Sequence, residues 1–231
     1  MTAIITTSSP VIIEQLAVCA SNRQATWEEY IHFVEDPQRE PERVFFNCGA
    51  MWIEDMGNEG INHSRFNKLF TMIFCFWFSR LEDVKFELLG GCVIEKPQYQ
   101  GAAPDEVVYI GGNAPRYQSG EPRRVNLDKW RVPDLAVEIA DTTLASDLDE
   151  KKQLYLKLEV PEYWVVDVRG KRVLAFRLVD GKYQECIESI ALTGLPIELL
   201  DRTLERMDDD NGNVAMWFAS QIQNLPIKSA E

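Results

Sequence analysis

Residues 133 to 167 read PDLAVEIADTTLASDLDEKKQLYLKLEVPEYWVVD, and the periods in that stretch set the fold class. After Pro133, the residues Leu135, Val137 and Ile139 alternate with Asp134, Ala136 and Glu138. That is the period of a strand with one oily face and one face bearing carboxylates. From about Asp147 the spacing becomes helical: Leu148, Lys151, Tyr155 and Leu158 share one face, which places Lys151 in the stripe that packs on a sheet while Lys152 points away. Tyr163 to Val168 is extended again. Strand, helix and strand in succession predict an α/β domain with a mixed central sheet flanked by helices.

A lysine on the buried side of a helix either snorkels to solvent along its own stem or meets buried acid. Glu138 lies just across the connection. Asp134 shares the face of Glu138 but sits about 13 Å away, at ~3.3 Å per residue, too far to share an ion with it. Carboxylate–metal bonds are only about 2.0–2.6 Å long, so the partner of Glu138 has to come from another strand. Asp105 is the candidate, because it opens a second Pro-Asp run, PDEVVYI (104 to 110), and adjacent strands lie ~4.8 Å apart. Such a pair gives a compact oxygen site suited to one or two Mg2+ or Mn2+ ions. Lys151 beside it could stabilise charge on a pentavalent phosphate or orient an attacking water.

His63 stands at the start of a helix expected over Asn62 to Arg80, where it could face a phosphate or a metal-bound water; the plainer alternative is a surface histidine. Asp147 reads as a helix N-terminal acid favoured by the dipole. Tyr155 reads as core packing, with a nucleobase platform as the alternative.

Working outward, 231 residues at 45% hydrophobic content suffice for one substantial domain. The expected division is an N-terminal arm (1 to 25), the domain (26 to 207) and an acidic C-terminal tail with a short helix (208 to 231). Thr26 to Glu29 has capping-box spacing and predicts a helix from Trp27 to about Glu35. Arg43 to Glu54 reads as a hairpin turning near Gly49, with nothing in it that points to chemistry. Extended runs follow at Val84 to Leu89 and Gly91 to Glu95, then a loop from Asn113 to Lys129. Tyr163 to Val168, Val173 to Val179 and Lys182 to Ile187 predict an antiparallel extension, the last turn made by Asp180-Gly181. Helices are expected at Leu199 to Met207 and around Val214 to Ile222.

The five cysteines form no C-x-x-C pair, which favours reduced thiols over zinc or disulfides. The N-terminus lacks a basic leader, and the longest apolar run, Leu69 to Phe78, is half of the roughly 20 residues a membrane span needs. The expectation is a cytoplasmic protein without a membrane partner. A formal net charge of −13 argues against general nucleic-acid binding, although a metal-dependent nuclease needs acids at its centre.

Together, Pro104-Asp105, PDLAVEI (133 to 139), the Asp147, Lys151 and Tyr155 of DLDEKKQLY, and VPEYWVVD (160 to 167) resemble the Uma-two family of endonucleases. The resemblance covers roughly residues 26 to 205. It implies the restriction-endonuclease-like, PD-(D/E)xK fold, with Asp105 and Glu138 as metal-binding carboxylates and Lys151 as the catalytic lysine. The lysine would be displaced onto the helix, in keeping with Ala140 two positions after Glu138. His63 is similar to the family's helix-start histidine, and Asp134 and Tyr155 are auxiliary candidates. Val44-Phe45-Phe46 and Cys48-Gly49-Ala50 stand where the family has Tyr-Glu-Leu and Asp-Gly-Glu, and Ala140-Asp141 replaces its serine-proline. The implied activity is divalent-metal-dependent hydrolysis of DNA by an endonuclease using Mg2+ or Mn2+, with a homodimer compatible with it. The alternative is a non-catalytic interaction protein that keeps the scaffold and offers its acidic surface to a protein partner.

Overall fold

Thr26 closes the capping box its spacing predicts: Thr26 Oγ1 accepts from Glu29 N at 3.2 Å and Glu29 Oε2 accepts from Thr26 N at 2.7 Å. The computed structural model describes residues 23–38, 42–55 and 60–227. Strand β1 (Arg23–Gln24) precedes helix α1 (Trp27–Glu35), and the hairpin of β2 (Glu42–Asn47) and β3 (Ala50–Asp55) follows. Cys48 and Gly49 both have positive φ (48° and 90°), the conformation of a type I′ turn, and Gly49 adopts it without a Cβ penalty. Next come α2 (Ile61–Phe78), β4 (Phe86–Gly90), β5 (Ile94–Lys96), β6 (Gln100–Ala102), β7 (Glu106–Ile110) and β8 (Val125–Asn126). The deciding stretch forms β9 (Leu135–Ala140), α3 (Leu144–Leu148), α4 (Glu150–Lys157) and β10 (Glu162–Asp167). Then β11 (Arg172–Val179), β12 (Lys182–Glu185), α5 (Ile197–Leu204) and α6 (Asn211–Ile222) complete the described chain.

Two mixed sheets result. One runs β12-β11-β10-β9-β7-β4, with β9 and β10 parallel and every other pair antiparallel. The parallel pair is joined through α3 and α4, the crossover that parallel strands require. The other sheet runs β1-β3-β2-β6-β5-β8. Leu135, Val137, Ile139, Trp164 and Val166 pack on one face of the first sheet beneath α2, α5 and α6. Ala136, Ala140, Tyr163 and Val165 pack on its other face, against Leu154 and Tyr155 of α4 and against Phe45, Trp52 and Ile94 of the second sheet. Helix α1 covers the far side of that second sheet with Tyr30 and Phe33 on Val44, Phe46 and Met51. Both faces of β9 are therefore buried, including the face that carries Glu138.

Several expectations change. The helix expected from Asp147 begins at Leu144 and breaks at Asp149, whose φ and ψ of −118° and −85° are not helical. Strands β6 and β8 are three and two residues long, too short to show a period, and β8 falls within the expected loop. The C-terminal segment, expected as an acidic tail with a short helix, carries that helix as α6 and docks it against α2. Asp210 caps α6 by accepting from Asn213 N at 2.8 Å, Arg65 of α2 donates to the carbonyls of Met207 and Asp209, and Val214, Ala215, Phe218 and Ile222 join the core beside α2. The reason is helical spacing: these four residues line one stripe that has to be covered. Residues 1 to 22 of the expected arm lie outside the described residues, and Arg23–Gln24 pairs with β3. No helix among the described residues is long and apolar enough to cross a membrane.

Candidate active site

The antiparallel register of β7 and β9 sets Glu106 against Val137, and one step further Asp105 comes opposite Glu138. Each carboxylate has one oxygen tied down. Asp105 Oδ2 accepts from Ile139 N at 2.7 Å, and Glu138 Oε1 accepts from the Tyr155 hydroxyl at 2.5 Å. The remaining oxygens face basic side chains. Asp105 Oδ1 meets His63 Nε2 at 3.0 Å and the Arg43 guanidinium, while Glu138 Oε2 lies 3.2 Å from Lys151 Nζ and 4.0 Å from Arg43 Nη1.

Lys151 arrives as its helical stripe predicts, buried on the sheet side of α4 with Leu154 and Tyr155. Its ammonium also meets Glu54 at 2.7 Å and Asp147 at 2.8 Å, and stands 4.7 Å from the centre of the Phe45 ring. Asp147 is fully buried, and its other oxygen accepts from Thr143 Oγ1 at 2.7 Å. It lies in the first turn of α3, as expected, and is also a partner of Lys151.

Arg43 and Glu54 are the residues that sequence reasoning missed. They face each other across the β2–β3 hairpin, two pairs beyond Phe45 and Trp52, whose rings stack 5.3 Å apart. Alternation puts Arg43 and Phe45 on one face of β2, and Trp52 and Glu54 on the same face of β3. A signal for them existed. Counting outward from the turn at Cys48-Gly49 pairs Arg43 with Glu54, and the aromatic pair between them and the turn marks that face as buried. Nothing in the hairpin's sequence pointed to chemistry, yet two of its side chains join the charged cluster.

Of the expected residues, the structure brings together Asp105, Glu138, Lys151, His63 and Tyr155. It leaves Asp134 out. Asp134 Oδ2 accepts from Ile110 N at 2.6 Å and from Arg131 at 2.8 Å, at the opposite end of β7 from Asp105, so it anchors a strand end.

Burial by itself would raise both central carboxyls. At Asp105 the His63 and Arg43 partners outweigh it and hold the acid well below the usual carboxylate range. At Glu138 burial prevails over Lys151 and Arg43, with Asp105 and Asp147 adding to it, and the acid is held well above that range. The two adjacent carboxyls are thus pushed in opposite directions. Burial would lower Lys151, but Glu138, Asp147, Glu54 and Asp105 raise it further, so it stays an ammonium. Burial likewise raises Glu54, against the pull of Lys151, and raises the Tyr155 hydroxyl with help from Glu138. The side chains of Arg43, Glu54 and His63 each keep 13% exposure, against 1% for Lys151, and form the rim through which the cluster meets solvent.

The chemistry of the donor set fits a hard divalent cation. Carboxylate oxygens are its preferred ligands, and the four acids Asp105, Glu138, Glu54 and Asp147 outnumber the two fixed cations Lys151 and Arg43. Occupancy is another matter, since Arg43 stands at the two facing oxygens. Among the described residues no group of three or more His, Cys, Asp or Glu side chains is arranged to hold a metal ion.

A family model described as "Putative restriction endonuclease", Uma2, matches residues 27–193. A crystal structure from Anabaena variabilis, described as "a putative nuclease belonging to DUF820", is similar with a TM-score of 0.51 at 16% identity, covering 84% of this chain and 99% of that one. At such identity the likeness shows the fold alone: mixed sheets flanked by helices. No curated protein matches the chain.

Proposed function

This chain belongs to the Uma2 family, and from that premise we propose that it is a divalent-metal-dependent endonuclease that hydrolyses DNA phosphodiester bonds. The observation that carries the reading is the pair Asp105 and Glu138, held opposite each other on neighbouring strands beside a buried lysine ammonium. Asp105 and Glu138 would hold Mg2+ or Mn2+. When bound, the ion supplies Lewis-acid polarisation of a phosphoryl oxygen and a more acidic water.

The chain's own residues do the rest. Tyr155 fixes the rotamer of Glu138 by its 2.5 Å hydrogen bond, and Ile139 N does the same for Asp105. Lys151, kept protonated by its acids, would lend positive charge from beneath the two carboxyls, where it favours negative charge growing on an attacked phosphate. His63, at the rim and bonded to Asp105, orients that carboxylate.

The test is purified protein with supercoiled plasmid and single-stranded DNA, across Mg2+ and Mn2+. Cleavage is expected with at least one metal and is expected to vanish in Asp105→Asn. Undiminished cutting by that variant, or no cutting under any condition, overturns the reading. One observation favours a second reading, an interaction protein that retains the scaffold: every oxygen of Asp105 and Glu138 already has a partner within the chain. In that case calorimetric titration with Mn2+ gives no heat of binding.

A further inference from the structure

Arg43 is the member of the cluster to which the proposed function gives no role. It enters from the hairpin rather than from β7, β9 or α4, and its guanidinium contacts Asp105 Oδ1 while Nη1 lies 4.0 Å from Glu138 Oε2. A shared ligand would have to meet these two oxygens, beside His63 and Lys151, since the other oxygen of each acid is held by Ile139 N or by Tyr155. An ion bonded to both at about 2.0–2.6 Å has to occupy the space the guanidinium fills. Arg43 also differs from Lys151 in having a way out: its side chain reaches the rim, whereas Lys151 is enclosed among Glu54, Glu138 and Asp147.

We propose that Arg43 is a resident stand-in for the divalent ion: it holds Asp105 and Glu138 together in the metal-free protein and is displaced from them when the ion binds. The inference rests on the metal reading above and adds that metal affinity is set by competition with a cation built into the chain. The charge count makes the exchange workable. One positive charge withdraws to the rim and two arrive, in a cluster where four carboxyls face Lys151 and Arg43. A planar guanidinium suits this bridging task and an ammonium does not, so arginine and lysine are not equivalent at position 43.

The test is Mn2+ binding to the full chain by calorimetry, alongside thermal melting with and without the ion. Arg43→Met keeps much of the stem and loses the charge. It is expected to bind Mn2+ about tenfold or more tightly than the parent chain, the scale of one close charge pair. Without metal it should melt at lower temperature, and saturating Mn2+ should restore most of the loss. Arg43→Lys, the variant to use if the methionine form fails to fold, should shift affinity in the same direction by less. Adding Asp105→Asn to Arg43→Met should remove the gained binding. Equal or weaker Mn2+ affinity in both position-43 variants overturns the stand-in role and leaves the metal reading in place. No Mn2+ binding in any of these chains overturns both.

Discussion

Two buried glutamates on adjacent parallel strands, Glu138 on β9 and Glu162 on β10, look alike in sequence and differ in every neighbour. Glu162 Oε1 accepts from Trp164 Nε1 at 2.7 Å, and Oε2 accepts from Ser189 Oγ, Ile190 N and Ala191 N at 3.0, 3.0 and 2.7 Å. All four donors are neutral, and they staple the loop after β12 to the sheet. Glu138 instead meets Lys151, Arg43 and the Tyr155 hydroxyl, with Asp105 across the strand step. Burial raises both acids, but at Glu162 the hydrogen bonds alone work against it, whereas at Glu138 neighbouring carboxyls add to it. Burial of an acid therefore does not mark a site. The company of other ionisable groups does.

The largest expected effect separates the two by activity. If the proposed function holds, Glu138→Gln lowers DNA cleavage by about 10³-fold, the scale of losing one preorganised polar group, and Glu162→Gln leaves the rate per folded molecule near that of the parent. Equal losses in the two variants would erase the distinction. Next comes Lys151→Met, which strands Glu138, Asp147 and Glu54 without their shared cation. It should cost about 3–5 kcal/mol in urea unfolding, as for any broken buried pair. Glu162→Gln should cost less, about 1–3 kcal/mol, because an amide nitrogen turned toward Trp164 Nε1 or the loop donors leaves a donor unsatisfied.

The smallest effect is in pH dependence. An acid whose folded value is raised contributes stability that is complete below its ordinary range and is lost as pH climbs through the raised value. Glu138 and Glu162 are both raised, so stability should fall as pH rises above about 4.3, the ordinary glutamate value, by up to ~1.4 kcal/mol per pH unit for one proton. Asp105 is lowered and acts in the opposite sense, its contribution disappearing only on strong acidification. Glu138→Gln should flatten the decline above pH 4.3 in equilibrium unfolding. A slope unchanged from the parent would mean that Glu138 does not hold the proton.

Much of this centre was legible before any coordinates. The switch from period 2 to helical spacing located β9, α4 and β10, and it put Lys151 on the sheet side of its helix. Strand spacing excluded Asp134 as an ion-sharing partner of Glu138 and proposed Asp105, which the register does set opposite Glu138. Arg43 and Glu54 stayed hidden because a hairpin's alternation says which residues share a face, not which face turns toward another sheet. Asp147 was read as a helix acid favoured by the dipole, and its contact with Lys151 follows only from α3 being pressed into the core.

What the chain's own order determined, then, was everything carried by local period: the strand-helix-strand unit, the capping box at Thr26, and the side of each element on which Glu138 and Lys151 stand. Tertiary structure alone decided their company. Charges from two sheets and three helices meet at one point only after those layers pack, and packing is set by covering apolar faces, to which the identity of a charged residue 90 positions away contributes nothing local. That Glu138 faces ionisable partners while Glu162 faces neutral donors is thus a consequence of which layer covers each face of one sheet.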